Sequence, residues 1–390
     1  MQEFNFFLPT KIYFGKGTLK KVGEETAKLG GKAMVVTGRT SARKTGILQR
    51  VESSLKKEKI KTILFEQVEP NPSFETAKRG AEVSKREKVE VIVALGGGSP
   101  LDAAKAIAVL STNSSPLEQY IGQDKVKKPL LPLIAIPTTA GTGSEVTKYI
   151  VLTDKKRIPP HKEVIGDAHL FPKIAILDPE LTLSLPPSIT ADTGVDALSH
   201  AIEGFSSNRA QPLADLLALK SINLIFRYLP EAINNPYNLE ARSSLLYASF
   251  LAGIVIAQTG TIIVHAMGYR LTSEFGIPHG RANGILLPWV YEFNLSANYS
   301  KFALLTRELG EKTENLSEKE EAQRGVFLLK SFLQRVNMPR NLKEKNIKKD
   351  KIEEFAKEVM QNKRKLEVNP RKVILEDIIE IYEKALSGKE

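Results

Sequence analysis

Between residue 33 and about residue 180, short apolar runs alternate with stretches of helical period. AMVVTG (33–38), KTILFEQV (61–68), VEVIVALGGGS (89–99), LPLIAIPTT (131–139) and KIAILDP (173–179) read as strands. Between them ILQRVESSLKKEK, FETAKRGAEVSKREK and LDAAKAIAVLS place apolar residues every three or four positions. Strands joined through helices of about 10–15 residues predict right-handed crossovers and a parallel sheet. After LPPSITAD (185–192) the period changes. PLADLLALKSINLIFRYL, ARSSLLYASFLAGIVIAQTG and EAQRGVFLLKSFLQRV all carry the helical repeat. The pattern predicts an α/β domain over 1–185 and an all-helical domain over 186–390. The apolar start QEFNFFLP reads as a strand whose open edge suits pairing across a homodimer.

Composition narrows this picture. A chain of 390 residues with 42% hydrophobic and 26% charged positions has enough apolar residues for two cores. No uninterrupted run of about 18 apolar residues appears, so no bilayer-spanning segment is expected. MQEFNFFLPTKIYFG lacks a basic n-region and a small-residue cleavage site, which makes a cytoplasmic enzyme the expectation. The absence of cysteine excludes disulfides and thiolate ligands. The net charge of +11 raises a nucleic-acid reading. Much of the excess, however, lies in NLKEKNIKKDKIEEF and QNKRKLEVNPRK, where lysines alternate with glutamates and no aromatic-interleaved stripe occurs. Such a surface favours an anionic small molecule over DNA or RNA.

Histidine is scarce, yet three of the five fall in one stretch beside an aspartate: Asp196 and His200 in GVDALSHAIE, His265 in IVHAMGYR and His279 in GIPHGRAN. Residues four apart on a helix leave the same face one turn above each other, so Asp196 and His200 form a ready pair. One carboxylate and three imidazoles offer a mixed N/O shell to a first-row divalent ion.

Two glycine-rich loops carry the second candidate chemistry. LGGGSPLDAAK (95–105) joins a strand to a helix, and IPTTAGTGSEVT (136–147) follows another strand with five hydroxyls. Glycines admit a diphosphate close to the backbone, and a helix start supplies N–H groups and a positive dipole end. Ser99 is expected to cap that helix, with Pro100 in its first turn. The first loop matches neither G-x-G-x-x-G nor the Walker pattern. Both loops nevertheless end strands of one sheet, where open parallel sheets bind ligands.

Taken together, FLPTKIYFGKGTL, EPNPSFET, GGGSPLDAAKAIA, IPTTAGTGSEVT, ILDPELTLSLPP, GVDALSHAIE and the His265–His279 segment resemble the iron-containing (group III) alcohol dehydrogenase family over nearly the whole chain. The resemblance implies a Rossmann-like N-terminal domain, a helical C-terminal domain and an active site in the cleft between them. It implies that Asp196, His200, His265 and His279 bind Fe2+, with Zn2+ an alternative because imidazole and carboxylate accept either. It further implies that Gly97, Gly98 and Ser99 hold a diphosphate with Asp102 nearby, and that Thr138, Thr139, Thr142, Thr147, Asn71 and Lys162 reach the cofactor. Glycerol dehydrogenases are similar but use zinc with one histidine fewer. Dehydroquinate synthases are similar but place glutamate where Asp196 stands.

This chain departs from the family at two positions. Many members carry an acidic residue after the strand-end Val-Thr, whereas VVTGRTSAR has Gly38 there, followed by Arg39, Ser41 and Arg43. Without that carboxylate a ribose 2′-phosphate is not repelled and finds donors, which predicts NADP(H) in preference to NAD(H). Many members also carry a histidine four residues after the third ligand; this chain has Tyr269. A phenol has an unperturbed pKa of about 10 against about 6.5 for imidazole, so Tyr269 either passes a proton through its hydroxyl or only shapes the pocket. The expected activity is reversible hydride transfer between a small alcohol, or its aldehyde or ketone, and a nicotinamide cofactor. The alternatives are a dehydroquinate-synthase-like lyase, a glycerol-dehydrogenase-like polyol oxidoreductase and a non-catalytic nucleotide-binding protein.

Overall fold

A computed structural model describes residues 3–310, 313–343 and 347–388. The chain forms two compact units. One comprises Phe7–Leu185 with Tyr237–Leu246, the other Met1–Phe6, Pro186–Pro236 and Tyr247–Glu390.

The first unit is built on a six-stranded sheet of order β1-β9-β6-β4-β2-β3, parallel throughout. Its strands are β1 (Lys11–Phe14), β2 (Lys32–Gly38), β3 (Lys61–Val68), β4 (Val91–Gly96), β6 (Leu133–Pro137) and β9 (Ile174–Leu177). The crossovers carry α1 (Lys21–Ala27), α2 (Ser41–Lys44), α3 (Ile47–Lys57), α4 (Phe74–Arg86) and α5 (Gly98–Thr112). Central strands read as unbroken apolar runs because both of their faces are covered. Val35, Val93, Leu95 and Ile134 pack with Leu48, Val51 and Leu55 of α3. On the opposite face Met34, Val36, Ile92 and Ala94 pack with Ala103, Ala104 and Ile107 of α5.

A small second sheet joins β5 (Gly122–Gln123), β8 (His161–Gly166) and β7 (Tyr149–Asp154), with β7 and β8 antiparallel. The apolar pattern does not announce this hairpin, since KKRIPPH interrupts it with charge and proline. Nor does the chain start as expected: residues 3–10 carry no strand, and pairing with β9 begins at Lys11.

The second unit is helical. It contains α6 (Pro187–Ser206), α7 (Pro212–Asn234), the greater part of α8 (Leu239–Thr259), α9 (Ile263–Phe275), α10 (His279–Asn294), α11 (Tyr299–Glu308), α12 (Glu318–Arg335), α13 (Lys349–Gln361), α14 (Lys363–Val368) and α15 (Leu375–Ser387). Pro187 opens α6, where a missing N–H costs nothing. Ser317 and Glu320 close a capping box on α12. By length and composition α8 is apolar enough to cross a bilayer, but 67% of that window is buried inside the protein, as in a core helix.

Candidate metal centre and dinucleotide loops

Helix α6 is buried along most of its length, yet it carries Asp192, Asp196, Ser199, His200 and Glu203. Buried polar groups require partners, and here they are one another and the two helices that follow. Asp196, His200 and Glu203 are spaced four and three apart and therefore share a face. His265 comes from the first turn of α9, and His279 is the first residue of α10. Close approach of α10 to α6 depends on Gly280, where a Cβ would lie 1.8 Å from the Asp192 carbonyl oxygen. Arg281 then locks the helices together by donating from Nε to Asp192 Oδ1 at 2.9 Å.

These elements bring the four expected ligands together. Donor atoms of Asp196, His265 and His279 lie within 4.8 Å of one another. Asp196 Oδ1 is 3.8 Å from Nε2 of both His265 and His279. His200 joins them with Nε2 2.9 Å from Nε2 of His265. Burial alone would raise the Asp196 carboxyl, but the three imidazoles and Asn283 hold it below the usual carboxylate value.

Whether this set suits a cation is decided by its hydrogen bonding. Asn283 Nδ2 lies 3.1 Å from Asp196 Oδ1 and 3.2 Å from Nε2 of both His265 and His279. An amide nitrogen has two hydrogens, so it cannot serve all three of these neighbours at once. A divalent ion among the acceptors satisfies them together, and a carboxylate with imidazoles is a donor set that iron and zinc both accept. The residues present fit the ion.

Three residues of this region were missing from the sequence reading. Asn283 stands one turn beyond His279 on α10. Glu203 is fully buried and faces Nδ1 of His265; burial raises its carboxyl, while Lys365, His200 and the backbone N–H groups of His265 and Ile262 favour the ionised form. Lys365, from α14, donates to Thr261 Oγ1. The D-x-x-x-H-x-x-E spacing in GVDALSHAIE held the signal for Glu203. Lys365 had no such signal, since only the fold brings it there. Tyr269 lies one turn beyond His265, its ring stacked with that of His279 at 5.8 Å between centroids.

In the α/β unit, most of the predicted cofactor residues gather at the carboxyl ends of adjacent strands β2, β4 and β6, while Asn71 follows β3. From β2 the chain moves outward to β3 and then returns to the other side of β2 as β4. This reversal is a topological switch point, the usual ligand crevice of an open sheet. Gly96 ends β4 with φ 144, a value open to glycine, and a Cβ there would press on Pro100 at 2.7 Å. Helix α5 starts at Gly98, which puts its positive end at Gly97, Gly98 and Ser99. Thr139 and Thr142 close over these glycines: Cβ atoms on Gly97 and Gly98 would lie 3.2 Å and 2.6 Å from their side chains.

Ser99 does not cap α5 as expected. The cap position is Gly97, and Ser99 Oγ instead accepts from the Asn71 N–H at 3.3 Å, tying Asn71 to the glycine loop. Thr138 donates its N–H to the Gly96 carbonyl at 2.9 Å. Asp102 accepts from Ser144 Oγ at 2.6 Å and from the Val151 N–H at 2.9 Å. Thr147 is buried and accepts at Oγ1 from Lys105, whose Nζ also donates to the carbonyls of Thr147 and Tyr149 at 2.9 Å. Asp102 and Thr147 thus brace the second loop from inside. Burial lowers the Lys105 ammonium to about 8 and pushes the Glu145 carboxyl up to about 7. Lys162 lies in β8, near enough for its charge to act on Asp102.

Gly38 ends β2, and Arg39 and Ser41 follow it exposed. Arg43 is already engaged: its Nε and Nη2 donate to Glu66 at 2.9 Å and 2.6 Å.

Comparison with known proteins agrees with this geometry. Residues 9–179 match the family described as iron-containing alcohol dehydrogenase, and residues 190–386 match the C-terminal domain of the Fe-containing alcohol dehydrogenase family. The chain is 34% identical over 382 residues to an NAD-dependent methanol dehydrogenase of Bacillus methanolicus, covering 98% of this chain and 100% of that protein. It is 36% identical over 384 residues to a 1,3-propanediol dehydrogenase of Citrobacter freundii, covering 98% of each. A crystal structure of 1,3-propanediol oxidoreductase superimposes with a TM-score of 0.94 at 35% identity, over 99% of this chain and 100% of that one. The chain belongs to the iron-containing alcohol dehydrogenase family.

Proposed function

We propose that this alcohol oxidoreductase interconverts a small alcohol and its aldehyde or ketone, using one divalent ion and a nicotinamide dinucleotide. The observation that carries the reading is the convergence of Asp196, His265 and His279, with His200 alongside. Asp196, His200, His265 and His279 would hold the ion, Fe2+ by family and Zn2+ by ligand chemistry. When bound, the ion supplies a Lewis acid for the substrate oxygen, and the nicotinamide ring supplies or receives hydride.

The chain's own residues do the rest. Gly97, Gly98 and Ser99 present the start of α5 to a diphosphate, while Thr138, Thr139, Thr142 and Asn71 line the loop beside it. Lys162 adds positive charge, and Asp102, Lys105 and Thr147 keep the second loop in place. Tyr269, one turn from His265 and stacked on His279, is assigned to hold the alcohol proton at its hydroxyl. Relatives named for methanol and 1,3-propanediol support a small substrate, although another is named for long-chain alcohols.

A preference for NADP(H) is the finer claim. It rests on Gly38 in place of a carboxylate and on Arg39 and Ser41 as donors. Glu66 already holds Arg43, which weakens the case, and a relative named as NAD-dependent weakens it further. A homodimer joined along the open edge of β1, working in the cytoplasm, completes the proposal. The test is metal-free protein reconstituted anaerobically with Fe2+ or with Zn2+ and assayed at 340 nm on small alcohols with NAD+ and NADP+. Stoichiometric cofactor reduction supports the reading. No turnover with either ion and either cofactor, in protein that binds both, contradicts it.

A further inference from the structure

The ligand residues leave one buried carboxylate unexplained. Glu203 carries no ligand role, lies fully inside the helical unit and is engaged on both oxygens. Oε2 accepts the Ile262 N–H at 2.9 Å and the His265 N–H at 3.4 Å. Oε1 faces Nδ1 of His265. Helix α9 starts after Ile262, whose side chain cannot cap, so the carboxylate from α6 does the work of a cap residue. The same group therefore fixes where α9 begins and how its third residue, His265, is oriented.

We infer that Glu203 is a positioning residue of the metal centre: it keeps the His265 ring proton on Nδ1, so that Nε2 is bare toward Asp196, His200 and His279. A neutral imidazole carries one ring proton, and a metal requires the other nitrogen unprotonated. Oε2 is occupied by backbone donors, which leaves Oε1 to accept from Nδ1. Outer carboxylates of this kind orient ligating histidines and raise their basicity, and losing one costs about 10- to 100-fold in metal affinity. Lys365, reaching in from α14, lends positive charge that favours the ionised Glu203. Segments far apart in the chain are in this way joined to one imidazole.

Replacing Glu203 with glutamine separates this role from packing, because the two side chains are nearly the same shape. The backbone N–H groups still need an acceptor, so the amide oxygen takes the place of Oε2. The NH2 group then faces Nδ1 as a donor. That moves the ring proton to Nε2, where it blocks a metal.

The inference rests on the metal reading above, and the experiment separates the two. Binding of Co2+ and Zn2+ is measured by chelator competition for the wild type, D196A and E203Q, with the Co2+ visible spectrum and the metal-free melting temperature recorded for each. The expected result is E203Q melting near the wild type while binding about 10- to 100-fold more weakly, with an altered Co2+ spectrum. Wild-type affinity and spectrum in a folded E203Q overturn the inference and leave the metal centre standing. A wild type that binds neither ion, with D196A no different, overturns both. If E203Q does not fold, wild-type protein labelled with 15N-histidine and loaded with Zn2+ decides the matter. Protonated Nδ1 and metal-bound Nε2 in His265 support the inference; any other arrangement in that ring overturns it.

Discussion

The two units solve the same problem, polar groups in a dry interior, in opposite ways. In the helical unit the polar side chains of α6, α9 and α10 point at one another and present an excess of acceptors, which a cation can satisfy. In the α/β unit the charges of Asp102 and Lys105 are spent internally, on Ser144, Thr147 and the backbone of β7. The glycine backbone and a few hydroxyls are left to face a ligand, with Asn71 and Lys162 beside them. One unit is a chelate, and the other is a braced loop. A chelate is sensitive to any donor that changes, whereas a braced loop is sensitive to whatever holds it from behind.

That difference can be broken or sharpened experimentally. The largest effect is expected from the chelate. H200A or D196A should lower kcat/KM by at least about 1,000-fold, since the Lewis acid that stabilises developing charge is lost. Dinucleotide binding, followed by fluorescence titration, should change by less than about threefold, because mutations without shared partners act independently. A large loss of cofactor affinity in these variants would break the comparison.

Lys105→Met is the reciprocal test. It strands the carbonyls of Thr147 and Tyr149, takes the nearby cation from Glu145 and leaves Asp102 with Lys162 alone. Breaking a buried ionic network of this kind costs about 3 kcal/mol, read as a lower urea midpoint. Cofactor dissociation should rise about tenfold through the loosened loop, the equivalent of about 1.4 kcal/mol. Metal content by elemental analysis should not change.

A smaller effect is expected at Gly38. A Cβ there would meet Pro100 and the Val68 carbonyl at 3.8 Å, so aspartate fits without strain. G38D should move the kcat/KM ratio by about tenfold toward NAD(H), a carboxylate being attracted to a ribose 2′-hydroxyl and repelled by a 2′-phosphate. An unchanged ratio would remove Gly38 from cofactor choice. The smallest effect is assigned to Tyr269→Phe, about two- to tenfold in kcat with a shifted pH profile, well below the roughly 100-fold floor usual for a dominant acid or base. Unchanged turnover at every pH would reduce Tyr269 to packing.

Much of this was legible in the sequence, for identifiable reasons. Apolar runs and the helical repeat are local, so β2, β3, β4 and α7 could be read from the chain alone, as could the Asp196–His200 pair. His265 and His279 stood out because histidine is rare here. What stayed hidden depends on packing between distant segments. Arg43 looked available for a phosphate until the fold set α2 beside β3 and brought Glu66 against it. Ser99 looked like a helix cap until Asn71 claimed its hydroxyl. Glu203 was printed within GVDALSHAIE, but a glutamate on a helix usually marks a wet face, and only burial reveals its partner. The β7–β8 hairpin was obscured by its own charged, proline-rich turn.

The central claim is that Asp196, His200, His265 and His279 surround a single cation. Crystals of protein reconstituted anaerobically with Fe2+, measured on both sides of the iron absorption edge, test it most directly. The account predicts one anomalous peak about 2.0–2.2 Å from the Asp196 carboxylate and from Nε2 of each of the three histidines. A peak elsewhere, or none in protein shown to contain iron in solution, would contradict it.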